Sequence, residues 1–288
     1  MALPLDFAFE GFRLIRARPR LLALWGIAGL FGYGLAATIL VATFGPIQPL
    51  IAGASQHPFD TASDAVAQQM LLALISVIPI WLLTDAVLAC AVCRAGLEEG
   101  DDPFGFLRFG AREIQVVTVM AGSWLLASLV LLSVVSAFMS LRPPAAFTGV
   151  GFVVGLLAAA FIRIRLSLNV PQSFVQRRFD MFGSVALTRG RFWPLAGGYV
   201  MALVMTFVVQ YLGQQVVRAV IVVCFGEHAA ASNPDMSSLT AFFTPAHTVE
   251  IAIVCGLIMP QVSAIMLAAP LGAWKALSPS VPPVTVTL

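Results

Sequence analysis

The chain alternates long apolar runs with short segments that hold nearly all of its charge. Five stretches contain no Asp, Glu, Lys or Arg: Leu21–Phe59, Ala65–Thr84, Ile114–Leu141, Phe192–Val217 and Ile251–Trp274. A sixth, Pro143–Ile162, is just long enough to join them. A helix needs about 20 apolar residues to cross about 30 Å of hydrocarbon. Gly45-Pro46 and Pro49 stop the first helix near Phe44, because proline cannot continue a helical ladder. The pattern predicts an all-α, polytopic membrane bundle of six transmembrane helices over about 21–44, 67–93, 114–140, 146–169, 194–224 and 247–274. Arg142-Pro143-Pro144 reads as the tight turn of a helical hairpin between the third and fourth spans. Residues 1–277 read as one membrane domain and 278–288 as a Pro-rich tail.

Three segments preceding odd-numbered spans mix bulky apolar residues with arginine. They are Phe9–Arg16, Phe104–Phe109 and Phe182–Arg189. Leu5, Ala8, Phe12 and Ile15 recur at helical spacing in the first. The pattern predicts short interfacial helices before spans 1, 3 and 5, near 5–17, 103–111 and 179–188, and thus three repeats of interfacial helix plus hairpin. Val170-Pro171-Gln172-Ser173 is echoed by Met259-Pro260-Gln261-Val262-Ser263.

Composition agrees with this pattern. Apolar residues make up 59% of the chain and charged residues 10%. A soluble domain has about 45–50% and about 25%, so lipid covers this surface. Arginine placement gives the orientation. Arg13, Arg16, Arg18, Arg20, Arg94, Arg108, Arg112, Arg163, Arg165, Arg177, Arg178, Arg189, Arg191 and Lys275 fall on one side of a six-span layout. Arg142 falls on the other, with Arg218 near that end of the fifth span. Both termini are therefore expected in the cytoplasm. A net charge of +2 offers no attraction for nucleic acid.

Asp85 is the one acid embedded within a span away from its end. An ionisable group there is costly unless paired or wetted, which makes it a functional candidate. Counted from the outer ends, Asp85 lies about 18 residues into the second span and Arg163 about 17 into the fourth, at similar depth by helix rise. Arg163 and Arg165 are thus its natural partners, with Gln261 and Ser263 next. Two readings follow: a cytoplasm-facing polar cavity formed by Asp85, Arg163, Arg165 and Gln261, binding an anionic headgroup, or a structural ion pair holding two helices together. His57, His228 and His247 lie on the outer side, and His247 and Glu250 share a helix face. A third metal ligand would have to come from a distant loop, so no metal is expected. Cys90 and Cys93 have metal or redox spacing, but in an apolar helix they read as small buried hydrophobes. Gly151-x-x-x-Gly155 reads as close helix packing within the chain. No phosphate-binding loop or nucleophile elbow occurs.

Arg165-Leu166-Ser167-Leu168-Asn169-Val170-Pro171 followed by Leu187-Thr188-Arg189-Gly190-Arg191-Phe192-Trp193 resembles the membrane domain of glycerophosphodiester phosphodiesterases. It equally resembles related bacterial six-span inner-membrane families of unknown role. The resemblance implies a fold and a membrane location. It does not imply the phosphodiesterase reaction, which a separate soluble barrel performs in such proteins. The expected function is a membrane-embedded binding, partner or lipid-organising module, with no catalytic residues and no cofactor. Its partners would be membrane lipids and possibly another membrane protein. The alternative is a transporter or channel for a small or lipidic solute.

Overall fold

A computed structural model describes residues 5–45, 62–98, 102–141, 148–231 and 234–278. The Pro46 and Pro49 stop, His57, Asp60, the Arg142-Pro143-Pro144 turn and the tail beyond Ser278 lie outside them. The described residues form helices and turns, with no strand. A short 3₁₀ turn, Leu5–Phe9, leads into α1 (Glu10–Ala17). Then come α2 (Pro19–Phe44), α3 (Ala62–Leu97), α4 (Ala111–Ser140) and α5 (Thr148–Arg165). Two short helices follow, α6 (Asn169–Gln176) and α7 (Gly183–Leu187), and then the long α8 (Phe192–Phe225). The chain ends with α9 (Glu227–Ala231), α10 (Leu239–Phe242), α11 (Pro245–Ile253), a π-helical turn (Val254–Ile258) and α12 (Met259–Leu277).

Six helical stretches are long and apolar enough to cross a membrane: Pro19–Phe44, Gln68–Leu97, Ala111–Ser140, Gly149–Gln176, Phe192–Phe225 and Pro245–Leu277. Their outward faces carry large apolar side chains, among them Phe31, Leu125, Leu157 and Phe207, each at least 65% exposed. Ser123, Thr206 and Glu113 are turned inward. Six such stretches with apolar outward faces are suited to contact with lipid, and the chain is a polytopic integral membrane protein.

Two compact units divide the chain. One comprises Met1–Arg16, Ala89–Val204 and Ala264–Leu288, the other Ala17–Leu88 and Met205–Ser263. In the first, Phe7, Ala8, Leu168, Leu195, Ala269 and Trp274 form a buried cluster. The α1 segment docks there: a Cβ on Gly11 would lie 2.6 Å from the Ile265 Cα, and Lys275 Nζ bonds Glu10 Oε1 at 2.8 Å. The hairpin of α4 and α5 packs through the expected glycines, a Cβ on Gly155 lying 2.9 Å from Leu131 Cδ1. In the second unit, Val217, Ile221, Ala246 and Ile258 form the buried cluster, and the π-helical turn packs against α2.

Three local structures depart from the sequence pattern. The segment 103–110 is not a helix but a turn. Asp102 Oδ1 accepts the Phe104 N–H at 2.8 Å, and Gly105 and Phe106 take φ of 64° and 62°. A side chain that hydrogen-bonds its own backbone offers a competitor to helix, and Gly105 adopts positive φ without steric cost. Phe106 is held there by burial of its ring and by Arg94 Nη1, which donates to its carbonyl at 3.0 Å. The fourth span, expected unbroken to 169, stops at Arg165 and restarts at Asn169. Pro171 cannot donate to the carbonyl four residues back and its ring would collide there, so it is tolerated only in a first turn. The sixth span widens into the π-helical turn just before Pro260, which leaves the carbonyl of Gly256 without its usual donor. Pro79, by contrast, lies inside an unbroken α3.

Candidate functional site

The expected pairing of Asp85 with Arg163 is not what the side chains make. Each finds its partners among neighbours within its own unit.

Asp85 projects from α3 in the second unit. Tyr33 of α2 donates its phenol hydrogen to Asp85 Oδ1 at 2.5 Å. Ser263 Oγ of α12 lies 2.8 Å from the phenol oxygen and 3.5 Å from the same carboxylate oxygen. With the phenol hydrogen on the acid, Ser263 donates into the pair. Glycines on α2 allow the approach. A Cβ on Gly29, one turn before Tyr33, would lie 2.7 Å from both the Cys255 carbonyl oxygen and Pro260 Cγ. A Cβ on Gly32 would meet Thr84, the neighbour of Asp85. The bare backbone of α2 thus brings the π-helical turn and α3 to either side of Tyr33. Gln261 is half-buried on α12, with no side-chain hydrogen bond among the described residues.

Arg163 and Arg165 belong to the first unit. Arg163 Nη1 donates to Ser123 Oγ of α4 at 3.1 Å, and its guanidinium stacks on Trp124 with Cζ 4.3 Å from the ring centre. Ser123 in turn donates to the Met120 carbonyl, so it can accept from the arginine without conflict. The contact falls about 18 Å along α4 from its N-terminal end. Arg165 lies over the rings of Phe161 and Phe192. Both guanidiniums are half-buried, and no carboxylate among the described residues pairs with either.

The motif residues meet around the same turn. The carbonyl of Arg165 accepts from Ser184 Oγ and Thr188 Oγ1 at 3.2 and 3.4 Å, and Tyr199 donates to Ser167 Oγ at 2.7 Å. Gly190 holds φ of +76°, the left-handed turn that lets α8 begin at Phe192. Beside this, Asn169 Nδ2 and Gln172 Oε1 are buried without a hydrogen-bond partner.

Among the described residues, the most buried charge pair lies outside the expected set. Arg94 Nη2 pairs with Glu113 Oε1, with Arg94 5% and Glu113 1% exposed. Arg94 and Arg112 both stack on Phe174. Opposite charges at the two ends of one short connection were the available signal. Elsewhere, His247 Nδ1 bonds the capping Thr244 hydroxyl at 2.9 Å and its ring stacks on Phe242, so it completes the start of α11. Cys90 and Cys93 are buried and unbridged.

In the 102–108 turn, partial burial pushes the Asp102 carboxyl up. The Phe104 N–H and the Arg108 guanidinium, 2.8 Å away, outweigh it and hold the acid below the usual carboxylate range. Compared with known protein families, curated proteins and solved structures, the chain matches none.

Proposed function

We propose that the protein is a membrane-embedded binding module that holds the anionic headgroup of a lipid through Arg163 and Arg165. One observation carries this reading: among the described residues, two half-buried arginines within the apolar part of the chain have neutral partners only, a serine hydroxyl and aromatic rings. A guanidinium has five N–H donors. Arg163 commits one of them to a side chain, which leaves a planar fork facing its surroundings. A charge in hydrocarbon requires an opposite charge or water, and a lipid phosphate supplies both the charge and acceptors in bidentate geometry. The arginine bias supports an inner-membrane location with both termini cytoplasmic, where anionic lipids lie beside the basic side chains. The motif that resembles phosphodiesterase membrane domains is compatible with a non-catalytic role, since its residues brace a turn.

Native mass spectrometry of the protein released from mixed phosphatidylglycerol and phosphatidylcholine tests the reading. Retention of phosphatidylglycerol is expected for the unaltered chain and at least about a tenfold loss of affinity for Arg163→Gln, the effect of about 1.4 kcal/mol of binding. Equal retention of the two lipids, or no change on substitution, would refute it.

A second reading, a solute transporter, is favoured by the Asp85 group. An acid sits near the middle of a span, beside a helix interrupted by a π-helical turn and Pro260. Solute flux in proteoliposomes that is lost with Asp85→Asn would favour it over the lipid module.

A further inference from the structure

We infer that Asp85, Tyr33 and Ser263 form a site that takes up and releases one unit of positive charge, a proton or a small monovalent cation, within the membrane-spanning region. The inference is independent of the headgroup reading, because its residues belong to the other unit.

Depth is the first argument. By helix rise, Asp85 is about 26 and about 18 Å from the two ends of its span. Tyr33 is about 21 and about 17 Å from the ends of α2, and Ser263 about 27 and about 21 Å from the ends of the sixth span. All three are thus central in their helices. Three helices each contribute one oxygen-bearing side chain at one level, where apolar residues are the norm.

The second argument is what the cluster lacks. Tyr33 and Ser263 both bond Oδ1. Asp85 Oδ2 has no hydrogen-bond partner among the described residues, and Asp85 is only half-buried. Hydroxyl donors ease one oxygen of the acid but bring no charge, so the ionised form is left uncompensated. The titratable neighbours in the packed elements are Tyr33 and Cys255, neither a cation. Among the described residues, the other charged residues of this unit on the three helices that meet here lie far along them: Arg18 and Arg20 at the start of α2 and Glu250 on α11 are each about 20 Å or more away by helix rise, and Asp64 on α3 about 30 Å. Arg218 is the charged residue in this unit's half of α8. Among the described residues, no cation forms an ion pair with Asp85. An acid with an open oxygen and two hydroxyls beside it is a set of oxygen donors suited to a proton or a hard monovalent ion.

The third argument is mechanical. Ser263 stands one turn beyond Pro260, where the π-helical turn has already loosened the ladder of the sixth span. A small change of register there moves Ser263 against Tyr33 without breaking an ideal helix. The site thus has one member just beyond an irregular turn of its helix.

Dicyclohexylcarbodiimide, which modifies protonated carboxyls in apolar surroundings, tests the inference on the full chain in lipid nanodiscs. Labelled peptides are identified by mass spectrometry from about pH 5 to about pH 9, with and without sodium or potassium. Modification at Asp85 that falls at least about tenfold with rising pH alone identifies a proton site. A comparable fall on adding sodium or potassium at fixed pH identifies a cation site. Ser263→Ala is expected to retain labelling while shifting the pH or salt concentration of half-protection. Absence of modification at Asp85, or modification at one rate across all pH and salt conditions, would overturn the inference. Because the main readout uses the unaltered chain, it does not depend on a variant folding.

Discussion

Arg94 and Glu113 offer the sharpest test of how this structure is held together. Both side chains are removed from solvent, and their charges meet where α3 ends and α4 begins. Glu113→Leu keeps a similar volume but leaves the guanidinium uncompensated, which costs about 3–5 kcal/mol for a buried pair broken on one side. Arg94→Met strands the carboxylate for a similar cost. It also removes the donor to the Phe106 carbonyl, adding about 1 kcal/mol. If the losses were independent, Arg94→Met with Glu113→Leu would cost about 7–11 kcal/mol, the sum of these single losses. An apolar pair of similar volume is often nearly neutral, so the double variant is expected to lose no more than about 3 kcal/mol, leaving a coupling of at least about 4 kcal/mol. Unfolding in mixed micelles, followed by tryptophan fluorescence across a detergent titration, measures all four corners of the cycle. Additivity to within about 0.5 kcal/mol would refute the reasoning, since pairs without interaction add to that tolerance.

Gly29→Val should lower the detergent melting temperature strongly, because its side chain meets the Cys255 carbonyl and Pro260. Gly34→Ala, which meets nothing within 4 Å, should leave it unchanged or slightly raised. Ser237→Cys, exposed in the turn before α10, should react with an impermeant thiol reagent from the periplasm, and Arg178→Cys only after the cytoplasmic face is opened. The reverse pattern would invert the topology. Asp102 has a folded pKa below its unfolded value, so its contribution is present above the unfolded pKa and disappears as pH falls through the folded one. Asp102→Asn should therefore lower the melting temperature at neutral pH and have no effect in acid below the folded pKa; an equal loss at both would show that charge is not involved.

The six spans were legible because crossing hydrocarbon imposes one strong and local requirement, about 20 apolar residues with every backbone group bonded within the segment. Gly151 and Gly155 were legible for the same kind of reason: small residues one turn apart let a neighbouring helix approach. Pro171, Pro260 and the Asp102–Gly105 sequence stand at the breaks, yet the hydropathy pattern predicts an unbroken fourth span and a helix over 103–111. Whether proline gives a kink, a π-helical turn or a restart depends on which groups nearby can donate to the orphaned carbonyls. Pro79 shows this, since α3 runs through it unbroken.

The partners of the charged residues were decided by tertiary structure. Depth along a span is a one-dimensional quantity, and it set Asp85 level with Arg163. Which side chains meet depends on helix rotation and neighbour identity, and these follow from packing small surfaces such as Gly29 and Gly32 against Pro260 and Thr84. That packing gave Asp85 to Tyr33 and Ser263, gave Arg163 to Ser123 and Trp124, and joined Arg94 to Glu113. Hydropathy is a sum over neighbours in sequence and survives any arrangement of the helices. A hydrogen bond requires two atoms about 3 Å apart, a condition only the assembled helices can meet.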